Sequence, residues 1–344
     1  MNYFEKNFKR TFLIAEIGVN HDGRINKAIK LIDVAKKSGA DAVKFQTYIT
    51  EKLSTKKTSK TKYQIKFTGT KTSHFEMLKK LELSFEEFVK IKKYCKKKNI
   101  FFISTPYESE SAKFLDKIDT KIFKIASADI SDFFLNNVVS KFKKPTIIST
   151  GTSNNYEISR ILKVYKNNMS NIALLHCVSN YPSSLESSNL NCIPEMKKKY
   201  NVPIGFSDHT KSLIAGSVAV SLGAKIIEKH FTLNCKDIGP DHFTSLNPKE
   251  FSLYAKMIRD TEKIMGNNKK ELQNEEIDMK NVSRKSLYYS HKLKKNSKIK
   301  VEDFDNLRPG IGINSFEAKN LINKKLKKNV RFHQIVSKKD FYNV

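Results

Sequence analysis

Residues 204–231 read IGFSDHTKSLIAGSVAVSLGAKIIEKHF. Two short apolar runs each end in a polar cluster, and each cluster carries a histidine: His209 in SDHT and His230 in EKHF. One helix-length segment lies between them. Runs that are continuously apolar, without alternation, predict strands buried on both faces. Two parallel strands joined by a helix must start at the same edge, so the two histidines end neighbouring strands on one side of a sheet.

The same unit repeats outward from this stretch. Strand-like runs are expected at 11–18, 41–47, 99–105, 121–127, 145–150 and 171–177, followed by 202–207 and 224–231. Amphipathic segments separate them. NKAIKLIDVAKKSGA places Ala28, Leu31, Ile32 and Ala35 on one face, with Gly39 as a stop. SFEEFVKIKKYCKKKN opens with Ser84 and carries Glu87 three residues on, the pattern of a capping box. Later helices are expected over 131–141, 154–167, 188–199, 211–222 and 248–265. Eight strand–helix repeats predict a (β/α)8 TIM barrel over 1–265. An open doubly wound sheet is the alternative, but no glycine-rich phosphate loop follows the first strand. Residues 48–80 are long for a strand–helix connection and are expected to form a lid or insertion over the mouth. The polar stretch 266–282 reads as a linker, and 283–344 as a small β-rich domain.

Composition narrows the classes. With 344 residues the chain can bury a large core. No run approaches the roughly 18 apolar residues of a membrane span. The opening MNYFEKNFKR has no apolar core, so no signal peptide and a cytoplasmic setting are expected. The four cysteines lack C-x-x-C spacing, which disfavours a zinc knuckle or a disulfide framework. The formal charge of +29 would attract polyanions. Its lysines are spread along helix faces with no aromatic interleaving, so a solvated surface is the reading preferred over a basic polyanion-binding protein, and no nucleic acid is expected.

The chemistry collects at the strand ends: AEIGVNHDG, VKFQT, ISTP, KIASAD, ISTGTS, LHCVSNYP, FSDHT and EKHF. In a barrel these C-terminal ends converge on one mouth. Lys44 and Lys124 sit within apolar strands, where an ammonium must be paired. They are either partners of carboxylates such as Glu16 or an anion clamp completed by the hydroxyls of Thr105, Ser127, Ser149 and Ser207. Such a set fits a small ligand carrying both phosphate and carboxylate. A Schiff-base lysine of a barrel aldolase is the rival reading. His209 and His230, on strands about 4.8 Å apart, could share one divalent ion with open positions, suited to polarising a carbonyl. The carboxylates Glu16, Asp129, Glu228 and Asp241 are candidates for proton transfer or for gripping hydroxyls.

Taken in order, AEIGVNHDG, VKFQT, FISTP, KIAS, ISTG, LLHC, FSDHT, EKHFT, GPDH and RPGIG resemble the sialic acid synthase family, which covers N-acetylneuraminate synthase and its legionaminate and pseudaminate relatives. YQIKFTG and EMLKKLEL within the insertion add to the likeness, and the tail SRKSLYYSHKLKKNSKIKVEDFDNLRPGIGI resembles that family's antifreeze-like (SAF) domain. The resemblance implies condensation of phosphoenolpyruvate with an N-acetylated amino sugar, N-acetylmannosamine first among them, with a divalent metal, manganese or magnesium. The family's metal histidines match His209 and His230. Its phosphoenolpyruvate positions match Lys44, Gln46, Thr105, Lys124, Ser127, Ser149 and Ser207. Its sugar positions match Asp129, Tyr181 and Asp241, and Glu16 matches a carboxylate near the reacting centre. Family members form domain-swapped homodimers, in which the arginine matching Arg308 reaches the partner's mouth. Departures fall at Ala128-Asp129, where Gly-Glu is common, at Ser179, and at Asp22 in NHDG.

Overall fold

The computed structural model describes residues 1–342 and divides into two compact units, Met1–Gly266 and the residues from Asn267 onward. In the first, eight parallel strands close into a barrel in sequence order, β1 pairing with both β2 and β8. The strands are β1 (Phe12–Gly18), β2 (Ala42–Thr47), β3 (Phe101–Pro106), β4 (Ile122–Ile125), β5 (Thr146–Ser149), β6 (Ile172–Cys177), β7 (Ile204–Asp208) and β8 (Ile226–His230). The expected (β/α)8 architecture is therefore the one observed.

The strands alternate between two buried environments. Residues such as Leu13, Val43, Phe123 and Ile227 face outward into the core shared with the helices. Inward positions begin apolar: Phe12, Ile14, Ala42, Ile103, Ile122, Ile147 and Ile226 pack into one cluster inside the barrel. Two residues further along the same face, five of the strands turn polar: Glu16 follows Ile14, Lys44 follows Ala42, Lys124 follows Ile122, Ser149 follows Ile147, and Glu228 follows Ile226. A period of two keeps these on the inner face, so an apolar floor supports a ring of chemical groups.

The helices are α1 (Tyr3–Asn7), α2 (Ile25–Lys37), α3 (Thr50–Leu53), α4 (Lys62–Thr68), α5 (His74–Leu81) and α6 (Phe85–Lys97). They continue with α7 (Ser109–Lys117), α8 (Phe133–Lys141), α9 (Asn155–Val164), α10 (Cys192–Tyr200), α11 (Ala215–Ser221) and α12 (Pro248–Met265). The capping box expected for α6 is present: Glu87 N donates to Ser84 Oγ at 3.2 Å, and Ser84 N donates to Glu87 Oε2 at 2.8 Å. Helix α1 was not anticipated. It places the buried Phe4 against the barrel's inner apolar cluster, a contribution of about 2 kcal/mol for burying one such ring.

Helix α11 starts at Ala215, four residues later than the expected 211. The reason is local competition by side chains. Asp208 Oδ1 accepts from Thr210 N at 2.8 Å, Thr210 Oγ1 from Ser212 N at 3.1 Å, and Ser212 Oγ from Ile214 N at 3.1 Å. Such bonds offer the backbone a chain of turns in place of a helix.

The second unit holds helix α13 (Ile277–Ser283), which takes up the end of the stretch read as a linker and runs one residue past it, and an antiparallel pair, β9 (Ser286–Tyr289) and β10 (Phe304–Leu307). Isolated bridges such as Leu293 with Val330 and Leu326 with Phe341 extend the pairing around a core of Leu287, Tyr289, Ile299 and Val336.

One buried group near the end of β1 should make this fold less stable in acid. Burial pushes the His21 imidazole down to about 4. The unfolded chain then binds a proton that the folded chain refuses as pH falls from 6.5 to 4. Stability should drop across that window by up to about 3 kcal/mol. Denaturant unfolding at pH 7.5 and 5 should show this, with a shallower loss in His21→Gln. An equal slope in the variant would assign the acid sensitivity elsewhere.

Candidate active site

A cavity of about 460 Å³ opens at the C-terminal ends of the barrel strands. Glu16, Lys44, Gln46, Lys124, Ser127 and Ser149 line it, together with Ser207, His209, His230, Asp129, Tyr181 and Asp241. Thr105 lies just behind this wall, accepting from Lys44 Nζ at 3.2 Å. Twelve of the fourteen candidate residues thus share one cavity and Thr105 supports it. The fourteenth, Arg308, belongs to the second unit, where it is exposed and its Nε donates to the Ser283 carbonyl at 2.9 Å.

A register shift between Glu16 and Gly18 ends the regular pairing of β1 with β2 at the mouth. Gly18 has φ +53°, and a Cβ there would sit 3.1 Å from Glu16 Oε1 and 3.2 Å from Gln46 Nε2, so only glycine leaves room for that contact. Lys44 Nζ is 2.9 Å from Glu16 Oε2 and 3.8 Å from Glu228 Oε2. Lys124 Nζ donates to Ser149 Oγ at 2.7 Å and lies 3.8 Å from Glu228 Oε1. Two ammonium groups and two carboxylates therefore face one another with almost no access to bulk water.

Burial opposes every charge in this quartet, and the neighbours decide the outcome. Burial works against the Lys44 ammonium, but Glu16 and Glu228 more than offset it and hold it charged. Burial lowers Lys124, Glu228 restoring only part. For the carboxylates, burial and the like charge of Glu228 push Glu16 up despite Lys44. Glu228 goes the other way, because Lys124 and Lys44 outweigh its burial. Two carboxyls with opposed shifts are the usual mark of an acid–base division of labour.

On the other side of the cavity the imidazoles of His209 and His230 have ring centres 5.5 Å apart, and the Tyr181 ring packs 4.2 Å from that of His209. His209 Nδ1 lies 2.7 Å from the Val178 carbonyl, which assigns the N–H there and turns the Nε2 lone pair toward the cavity. His230 Nδ1 is buried and has no hydrogen-bond partner, with Asp241 Oδ2 4.0 Å away. Burial, His209 and Lys44 keep His230 well below the usual imidazole value, hence neutral. His209 is raised despite burial, through Cys177 and the Val178 carbonyl. A buried lone pair without a donor, facing a second imidazole beside a carboxylate, fits a divalent cation held by His209 and His230.

A different acid–histidine group, Asp22, Asp237 and His242, has its ligand atoms close enough to surround a cation. There Lys27 already supplies the positive charge, its Nζ lying 2.6 Å from Asp22 and 2.7 Å from Asp237. Despite burial, His242 and Lys27 hold the Asp22 carboxyl well below the usual range. This cluster clips the loop after β8, because His242 also meets Thr232 Oγ1 at 2.6 Å.

The sugar-side candidates sit where the wall is least satisfied. Burial pushes Asp241 up to about 6 and Asp129 up to about 7. Asp129 Oδ2 has no hydrogen-bond partner. Opposite them the insertion contributes Tyr63, Gln64, His74, Met77 and Leu78 to the lining, as expected of a segment over the mouth. Tyr63, Tyr107 and Cys177 were missed. Tyr63 sits in a polar segment with no strand-end position, Tyr107 lies just past the ISTP motif, and a single cysteine carries no spacing signal.

Comparison with known proteins agrees with this geometry. The NeuB family model matches residues 31–270. The N,N'-diacetyllegionaminic acid synthase of Campylobacter jejuni is 37% identical over 95% of this chain and 99% of its own length. Human N-acetylneuraminate-9-phosphate synthase is 32% identical, covering 76% of this chain and 73% of its own. A crystal structure of N-acetylneuraminic acid synthetase from Leptospira borgpetersenii, bound to citrate, superposes with a TM-score of 0.70 at 35% identity, over 78% of this chain and 90% of that one. With most of its barrel matched by the family model and relatives of this identity along most of its length, the chain belongs to the NeuB family, the sialic and nonulosonic acid synthases.

Proposed function

We propose that this chain condenses phosphoenolpyruvate with the open-chain form of an N-acetylated amino sugar, N-acetylmannosamine or a close relative, giving a nine-carbon 2-keto acid and inorganic phosphate. The observation that carries this reading is the joint placement, in one cavity, of the Lys44–Lys124 pair and the His209–His230 pair. One half suits a small polyanion and the other an aldehyde oxygen. The named activities of the relatives support it: acid synthases of the N-acetylneuraminic, legionaminic and pseudaminic classes.

In this reading Lys44 and Lys124, with Gln46, Thr105, Ser127, Ser149 and Ser207, bind the phosphate and carboxylate of phosphoenolpyruvate. Charge-assisted hydrogen bonds of this kind are short and about twice as strong as neutral ones. His209 and His230 would hold manganese or magnesium, which when bound supplies Lewis-acid polarisation of the aldehyde. Asp129, Tyr181 and Asp241 orient the sugar so that its C1 meets C3 of phosphoenolpyruvate. The new C–C bond breaks the aldehyde π bond, whose oxygen takes up a proton to become a hydroxyl, and leaves a cationic C2. Water adds there, Glu16 takes one of its protons, and C2–O cleavage with loss of the other releases phosphate and leaves the keto group. The tyrosines of the insertion and of the β3 and β6 loops keep bulk water from that cation. Arg308 belongs to this proposal through a domain-swapped homodimer, in which one copy would complete the other's mouth. A Schiff-base mechanism asks for a neutral lysine; the raised Lys44 does not supply one, and the lowered Lys124 is where an adduct would have to form. Borohydride with substrate should trap no lysine adduct.

The test is phosphate release from phosphoenolpyruvate across N-acetylated hexosamines with one or two acetamido groups, with and without manganese. Release should require both a sugar and the metal, and chelation should abolish it. Phosphate release that ignores the sugar, or survives full chelation, would sink the reading.

A further inference from the structure

His209 immediately follows β7 and His230 ends β8, and next to them is a buried ion pair that does not line the cavity. Asp208 and Lys229, each immediately preceding one histidine, are register partners across β7 and β8. Lys229 Nζ lies 2.8 Å from Asp208 Oδ2, with both side chains fully buried. The pair also grips the other neighbour of His209. Asp208 Oδ1 accepts from Thr210 N and from Thr210 Oγ1, each at 2.8 Å, and Lys229 Nζ donates to the Thr210 carbonyl at 2.5 Å. From α12, the Tyr254 hydroxyl donates to Asp208 Oδ2 at 2.9 Å. It gets there past Gly216 of α11, where a Cβ would stand 2.3 Å from that hydroxyl.

Stability alone does not account for such an arrangement. Two desolvated charges generally contribute no more than a well-packed apolar pair, and the adjacent outward positions, Phe206 and Ile227, are apolar. What an apolar pair would lack is direction. The ionic cage ties both residues flanking His209 to the residue preceding His230, which sets how far apart the two imidazoles stand and how they face.

We propose that Asp208, Lys229 and Tyr254 are positioning residues for the imidazole pair and thereby set the affinity of the site for a divalent cation. This rests on the reading of His209 and His230 as cation ligands. Outer-shell partners of metal ligands typically change affinity by about 10–100-fold when altered.

The experiment measures Mn2+ binding to the full chain by electron paramagnetic resonance of the free ion, without substrate. The double variant Asp208→Asn with Lys229→Met keeps the acceptor for Thr210 and leaves no unpaired buried charge. It should unfold cooperatively, bind phosphoenolpyruvate like the wild type without metal, and bind Mn2+ about 10–100-fold more weakly. Turnover should return at saturating Mn2+. Tyr254→Phe should shift Mn2+ affinity in the same direction by a smaller factor, and it decides the matter if the double variant does not fold. Arg259→Met, which breaks the 2.6 Å pair with Asp41 at the opposite end of the barrel, should leave Mn2+ affinity alone. Unchanged Mn2+ affinity in a folded double variant or in Tyr254→Phe, or an equal loss in Arg259→Met, would overturn the proposal. Mn2+ binding that survives His230→Ala is a separate result: it would remove the cation site itself, and this role with it.

Discussion

Glu16→Gln should cut turnover by about a thousandfold, within the range that removing a positioned acid–base group costs, while phosphoenolpyruvate still binds. The substitution is nearly isosteric. Gln46 Nε2 can still donate to the oxygen at position 16, a contact of 3.3 Å in the native site. Lys44 loses its 2.9 Å partner but keeps Glu228 at 3.8 Å and Thr105 at 3.2 Å. The anion clamp should therefore survive. What disappears is a carboxyl whose affinity for a proton is raised by burial and by Glu228, the property needed to accept a proton from attacking water. Calorimetric binding of phosphoenolpyruvate beside single-turnover phosphate release separates the two effects. Retained turnover would remove Glu16 from the mechanism. Parallel loss of binding would make it a structural counter-ion for Lys44.

The second large effect is expected at the histidine pair. His230→Ala should weaken Mn2+ binding by more than the 100-fold that marks the upper end for outer-shell changes, because one of two protein ligands is lost outright. The fold should tolerate it, since His230 Nδ1 makes no hydrogen bond and the backbone of this residue is held separately by Leu246 N at 2.9 Å. Asp22→Asn is the matching control. Asp22 and Asp237 already share the Lys27 ammonium, so neutralising Asp22 should leave Mn2+ affinity as it was. If Asp22→Asn weakens Mn2+ binding and His230→Ala does not, the cation belongs to the loop after β8 and the aldehyde-activating role of the histidines is lost.

Much of the barrel was legible because its signals are local. The strand runs were recognisable from continuous apolarity, α2 from its amphipathic face and glycine stop, and α6 from its capping box. Where side chains compete with the backbone, as at Thr210 and Ser212, the helix boundary moved, since hydrogen bonding by short polar side chains overrides the apolar pattern. Helix α1 escaped notice because five residues are too few for periodicity to register, and its worth lies in Phe4 filling the barrel floor. Of the site, the strand-end residues were legible from position alone. Tyr63 and Tyr107 were not, because their relevance depends on where loops fold back, and Cys177, although it ends β6, is a single cysteine without a spacing signal.

The sequence by itself determined the eight strand–helix units, the inner face that changes from apolar floor to polar mouth, and the family, all of which follow from period and from ordered motifs. Only the tertiary structure decided how those groups meet. Closure of β8 onto β1 sets Glu16 opposite His230 across a strand pair. That closure shares Lys44 between Glu16 and Glu228, and the pairing of β7 with β8 sets Asp208 against Lys229. Such partners are far apart in the chain, so their distances are set by the packing of whole elements, which no local pattern encodes.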